Sequence, residues 1–231
     1  MVTVMDALLS VAHGAGVRLF VPHNVQGHCC GVPFSSKGFD RAHNSAANKT
    51  IESFFLWSKE GEMPIVLDTS PCTYGLKTCR AHLTPKNQER FDMLKILDSI
   101  EFVSERILPK LVVRRRMGRV AVHSVCSAVK MGLAGKLTQV MKACSEEVVV
   151  PRGEGCCAFA GDRGFLYPEL TASATETEAS EIRQLPCDAY FSSSKTCEIG
   201  MSRATGQVYR SYLHLLEYAS KLDERAPGKR R

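Results

Sequence analysis

Apolar positions along the chain alternate between two periods. After Cys126, the residues Val129, Leu133, Leu137, Val140, Met141 and Cys144 fall on one face at helical spacing, and Ala47, Ile51, Phe54 and Phe55 do so earlier. A longer helix is predicted over residues 89–112 from Leu94, Leu97, Ile100, Val103, Ile107 and Leu111, with Pro109 kinking or ending it. Short β-rich runs lie between these stretches, at residues 17–21, 64–68, 119–122, 148–150 and 188–191. A last helix over about residues 209–222 packs through Leu213 and Leu216, and the chain from Asp223 onward reads as a frayed tail. Strands alternating with helices predict an α/β fold with mainly parallel sheets.

The pattern repeats. Val21-Pro22-His23-Asn24-Val25-Gln26-Gly27-His28-Cys29-Cys30-Gly31 resembles Val150-Pro151-Arg152-Gly153-Glu154-Gly155-Cys156-Cys157-Ala158. Each doublet follows a β-rich run and precedes a helical stretch and a second β-rich run. Each copy then reaches a cysteine that opens a further helix, Cys72 before Gly75 and Cys197 before Gly200. Cys30 to Cys72 spans 42 positions and Cys157 to Cys197 spans 40, so order, signature and spacing agree. The expected organisation is two pseudo-symmetric repeats, residues 1–112 and 113–222, followed by a basic tail at 223–231. Cysteine ligands then fall at strand ends and helix N-termini.

Composition sharpens the chemistry. Ten cysteines are many for a chain of 231 residues with no apolar run long enough to span a membrane and no basic leader before the first apolar stretch. These features point to a cytoplasmic protein, compatible with peripheral association at the inner membrane. In a reducing compartment such cysteines indicate metal or redox chemistry rather than disulfides. Isolated cysteines behave as small buried hydrophobes, which suits Cys79, Cys144 and Cys187. Adjacent pairs do not fit that explanation, because neighbours on a regular element cannot both enter one apolar pocket; a turn offering two thiolates to one group fits them. The net charge of +6 draws on Arg114, Arg115, Arg116, Arg119 and the tail Lys229-Arg230-Arg231. With no interleaved aromatics, the arginine cluster reads as a solvated connector, and nucleic acid is not an expected partner.

Cys126, Cys156, Cys157 and Cys197 each belong at a strand end or helix start, and such loops gather at one edge of a parallel sheet. Soft thiolates select zinc or iron–sulfur clusters. No Cys-x-x-Cys knuckle of the structural zinc kind occurs, and ordinary ferredoxin spacing is absent. A cluster is favoured, with zinc as the competitor.

The series Cys126 … Cys156-Cys157-Ala158 … Cys197, preceded by Cys29-Cys30-Gly31 … Cys72, resembles the duplicated cysteine-rich (CCG) domain of heterodisulfide reductase B subunits and glycolate oxidase iron–sulfur subunits. Residues 28–34 and 191–201 are most similar to the C-terminal part of fused FAD/iron–sulfur D-lactate dehydrogenases. The resemblance implies an electron-transferring portion of a flavin-dependent D-2-hydroxy acid dehydrogenase, with a [4Fe–4S] cluster on Cys126, Cys156, Cys157 and Cys197. It implies a second, incomplete site at Cys29, Cys30 and Cys72, since the cysteine expected before that doublet would precede Met1. FAD belongs to a missing domain or partner, and a quinone or cytochrome accepts the electrons. No catalytic residue is expected in this chain, which alone should not oxidise lactate. Thr69 and Ser194 stand where the family often has a further cysteine. This disfavours a five-thiolate non-cubane cluster and a disulfide-reducing subunit. A non-redox interaction domain stabilised by zinc or thiols is the alternative.

His28, beside the first doublet, and His123, before Cys126, are expected to support the ligands rather than ligate. His23 and His43 carry no signal beyond position. Asp162 is expected to cap the helix after the second doublet, and Lys195 either lowers a thiolate pKa or is simply exposed.

Overall fold

A computed structural model describes residues 2–221. The expected tail at 223–231, with Lys229, Arg230 and Arg231, lies outside the described residues, as does Met1. The chain is α/β with parallel sheets. Its elements are α1 (Val4–Gly14), α2 (Val32–Ser35), α3 (Asp40–Trp57), β1 (Ile65–Leu67), α4 (Ser70–Lys77), α5 (Pro85–Met93), β2 (Ile96–Asp98) and α6 (Ser99–Phe102). There follow β3 (Met117–His123), α7 (Cys126–Lys130), α8 (Ala134–Cys144), β4 (Ser145–Val149), α9 (Arg163–Leu166), α10 (Pro168–Gln184), β5 (Ala189–Ser192), α11 (Lys195–Thr205), β6 (Tyr209–Ser211) and α12 (Tyr212–Ser220). One sheet is the pair β1-β2; the other has the order β4-β3-β5-β6, and every pairing is parallel. β1 and β2 pair in parallel as β5 and β6 do, but α4 and α5 connect the first pair and α11 alone connects the second.

The main core lies between the four-stranded sheet and the helices α1, α8 and α12. Val120 and Val122 of β3 meet Leu137, Val140 and Met141 of α8, and Leu213 and Leu216 of α12. A reciprocal capping box starts α1: the Thr3 hydroxyl accepts from the Asp6 N–H while the Asp6 carboxylate accepts from the Thr3 N–H. A smaller core under α3 contains Ala47, Ile51, Phe54, Leu76 and Cys79. The two halves meet through buried hydroxyls, Tyr212 to Ser99 at 3.0 Å and Ser70 to Ser193 at 3.2 Å.

Several expected elements differ. Residues 17–21 form no strand. Val17 and Leu19 do turn inward onto the core and Phe20 outward, so the alternation is real, but no neighbouring strand supplies a ladder. The helix expected over 89–112 is broken. It stops at Met93, Leu94 is extended, and Ile96–Asp98 pairs with Ile65–Leu67 before α6, a π turn (Val103–Ile107) and a 3-10 turn (Leu108–Lys110) carry the chain onward. A short apolar run is ambiguous between strand and buried helix, and here Ile65–Leu67 offers the partner. Pro109 sits in the closing 3-10 turn, after which Leu111 is extended. The helix after Cys126 breaks at Gly132, which has φ +71°, so Val129 on α7 points outward instead of joining the α8 face. Tyr209–Ser211 is an edge strand rather than the start of the last helix; the Ser211 hydroxyl caps α12 by accepting from Leu213 N–H.

The arginine cluster braces the fold. Arg115 stacks on the Tyr218 ring, Arg116 donates to the Lys142 carbonyl, and Arg119 pairs with Glu147 at 2.8 Å. Leu213 is fully buried where α12 crosses the core, so Leu213→Ala is expected to cost ~2–5 kcal/mol, read from urea unfolding followed by circular dichroism.

Candidate metal centre

The site sits beyond the C-terminal ends of three adjacent parallel strands, β4, β3 and β5, where α/β sheets gather ligand-binding loops. β3 leads into α7, whose first residue is Cys126; the loop after β4 carries Cys156 and Cys157; β5 leads into α11, with Cys197 in its first turn. The sulfurs meet as two pairs. Cys157 and Cys197, each 3% exposed, are 2.8 Å apart, and Cys126 and Cys156 are 3.6 Å apart at the surface. The sequence-nominated cysteines of this half thus form two pairs, linked along the chain through the neighbours Cys156 and Cys157.

Hydrogen bonds fix the loops that carry them. The Ser124 N–H donates to the Glu154 carboxylate, joining the strand end before Cys126 to the loop before Cys156. Glu181 on α10 accepts from the N–H groups of Arg152 and Gly153 at 2.9 and 3.2 Å. Gly153 lies against α10, where an added Cβ would come within 2.8 Å of Thr177. Ala158 adopts the left-handed conformation at φ +53°, which turns its N–H onto the Cys156 sulfur at 3.4 Å.

His123, the last residue of β3, is fully buried and 2.9 Å through Nδ1 from both oxygens of Glu178, itself 2% exposed. Its ring nitrogens and the sulfurs of Cys157 and Cys197 include one set of atoms all within 4.8 Å of one another, a spacing that could hold a metal ion. Nε2 is buried with no hydrogen-bond partner. Burial alone would push the His123 pKa down, but the nearby Cys157 sulfur and the bonded Glu178 carboxylate overcome it and raise the value to about 9. Within each sulfur pair, one partner's hydrogen bond draws the other towards thiolate. Cys157 and Cys156 are pulled down, against burial, while Cys197 and Cys126 are pushed up.

At the first doublet, Cys30 and Cys72 are 3.1 Å apart, and Gly31, at φ +82°, donates its N–H to the Cys29 sulfur at 3.4 Å. That backbone contact matches the one between Ala158 and Cys156. His28 faces elsewhere: Nδ1 contacts the Val25 carbonyl, Nε2 contacts the Ser53 hydroxyl, and the ring meets Trp57 edge-on. Both of its nitrogens are occupied away from the sulfurs. Cys79 and Cys144 are buried in the two cores and Cys187 is half-buried. Asp162 makes no cap bond; it pairs with Lys37 at 2.6 Å, and Arg163 donates to the Ser36 carbonyl at 2.7 Å, so the two doublet loops are tied together. Lys195 is exposed and paired with Glu198 at 2.9 Å.

Sequence reasoning missed Glu178 and Glu181. Glu178 shares the buried face of α10 with Thr171, Thr175, Ala179 and Ile182. A carboxylate on an otherwise small and apolar stripe was the available signal, because such a group is rarely buried unpaired.

The donor chemistry fits a soft metal centre: thiolates from three loops, backbone N–H groups turned onto sulfur, and a buried imidazole nitrogen facing the inner pair. Among the described residues, no helix is long and apolar enough to cross a membrane. In metal-free protein, iodoacetamide is expected to modify exposed Cys156 well before buried Cys79 and Cys144, as read by peptide mass spectrometry.

Residues 120–202, from β3 into α11, match the family of the cysteine-rich domain, CCG. The match contains Cys126, Cys156, Cys157 and Cys197 together with His123 and Glu178. The chain thus carries one CCG cysteine-rich domain, a type found in iron–sulfur oxidoreductases such as the heterodisulfide reductase B subunit.

Proposed function

We propose that this chain is an iron–sulfur electron-transfer unit, with Cys126, Cys156, Cys157 and Cys197 holding a [4Fe–4S] cluster. The observation that carries this reading is the convergence of the Cys157–Cys197 and Cys126–Cys156 sulfur pairs beyond three neighbouring strands. When bound, the cluster supplies one-electron redox chemistry. The chain's residues hold it, shield the Cys157–Cys197 side and leave Cys156 at the surface, where an electron can enter or leave.

In the finer reading, residues 1–112 and 113–222 are duplicated cysteine-rich repeats, and Cys29, Cys30 and Cys72 form a second, related metal site. The parallel strand pairs β1-β2 and β5-β6, each with a cysteine-bearing helix after its first strand, and the matching N–H···S contacts at Gly31 and Ala158 support duplication. The protein serves a flavin-dependent dehydrogenase of D-lactate or a related D-2-hydroxy acid. Electrons arrive from FAD on another domain or subunit and leave to a quinone or cytochrome. This assignment rests on the resemblance of residues 28–34 and 191–201 to that group.

Protein purified without oxygen is expected to contain iron and acid-labile sulfide and to give an EPR signal on reduction. Cys157→Ser and Cys197→Ser should each lose most of the iron, whereas Cys144→Ser, altered in the distant core, should retain it. A colourless protein that keeps stoichiometric zinc through the same preparation would overturn the proposal.

A further inference from the structure

We propose that His123, anchored by Glu178, is a positioning residue that directs a hydrogen from Nε2 at the Cys157–Cys197 sulfur pair and thereby raises the reduction potential of the group those sulfurs hold. The inference rests on the iron–sulfur reading above and adds a control of potential to it.

The ring has little freedom. Nδ1 lies 2.9 Å from each Glu178 oxygen, and the His123 carbonyl accepts from the Ser192 hydroxyl at 3.1 Å, so both side chain and backbone are held at the end of β3. Glu178 is fixed in turn. It lies on the buried face of α10, the helix whose Glu181 carboxylate anchors the loop leading to the second doublet. The imidazole and the sulfurs are therefore positioned by the same helix.

Nε2 is buried with no hydrogen-bond partner, and a ring nitrogen lies within 4.8 Å of the Cys157 and Cys197 sulfurs. A lone pair on Nε2 would face the lone pairs of sulfur and repel them. A hydrogen there is attracted, and it satisfies the one ring atom left without a partner. Donation to ligand sulfur stabilises the more negative, reduced state of a cluster, which raises its potential. Among the described residues, no His, Asp or Glu stands with Cys30 and Cys72 in a comparably tight set, so the effect belongs to the site at Cys157 and Cys197.

The test compares anaerobically prepared wild-type protein with His123→Leu and His123→Gln by EPR-monitored redox titration, with iron and sulfide measured alongside. His123→Leu should keep its iron and favour the oxidised state about tenfold at a given applied potential, which is ~59 mV for one electron. His123→Gln, which can still offer an N–H, should recover part of that shift. Equal potentials in wild type and the Leu variant would overturn the inference.

Should the Leu variant not fold, the wild-type cluster decides. With 15N-labelled histidine and deuterium exchange, pulsed EPR should detect a weakly coupled nitrogen and an exchangeable hydrogen at the cluster. A directly bonded nitrogen, or no exchangeable hydrogen, overturns the positioning role while leaving the cluster reading intact. Protein without iron and sulfide overturns both.

Discussion

Crowding sulfur atoms is the constraint on which this fold depends. Thiolates brought to about 3 Å repel one another strongly when little water screens them, as between Cys157 and Cys197 at 2.8 Å and Cys30 and Cys72 at 3.1 Å. In the absence of a cofactor, a proton shared within each pair relieves that repulsion. A soft cation or cluster relieves it further by taking up the negative charge. Free energy spent in assembling such loops is recovered only when something positively charged is bound, which is why clustered thiols point to a ligand more firmly than a cysteine count does.

The architecture supplies what the sulfurs cannot supply for themselves. Three parallel strands end together, and their loops are tied by carboxylates as well as by apolar packing, with Val125 and Phe159 in the main core. Glu154 joins the first loop to the second, Glu181 joins the second to α10, and Glu178 joins α10 to the end of β3. Backbone N–H groups at Gly31 and Ala158, both in the left-handed conformation, aim at the first sulfur of each doublet. The Lys37–Asp162 pair and the approach of Gly161 to Pro33 tie the two doublet loops together.

Much of this was legible in the chain because cysteine doublets and strand runs are local signals. The parallel α/β class, the buried faces of α3 and α8 and the placement of Cys126, Cys156, Cys157 and Cys197 after strands or at helix starts all follow from spacing. The errors came where a local pattern had two solutions. Ile96 and Leu97 fit a helical stripe as well as a strand, and only Ile65–Leu67 beside them decides. Residues 17–21 alternate like a strand but meet no partner. His123 was nominated from its nearness to Cys126, yet its ring bonds Glu178 and lies near Cys157 and Cys197, all distant in sequence. His28, equally near a cysteine in sequence, is occupied by Val25 and Ser53. Proximity along the chain did not distinguish the two; the direction of each ring did.

X-ray absorption at the iron edge of anaerobically isolated protein tests the central claim most directly, because it reports what the sulfurs surround. The account predicts iron in a first shell dominated by sulfur, with a second shell of iron scatterers from the same cluster. Iron without neighbouring iron, or zinc bound in its place by the same cysteines, would contradict it.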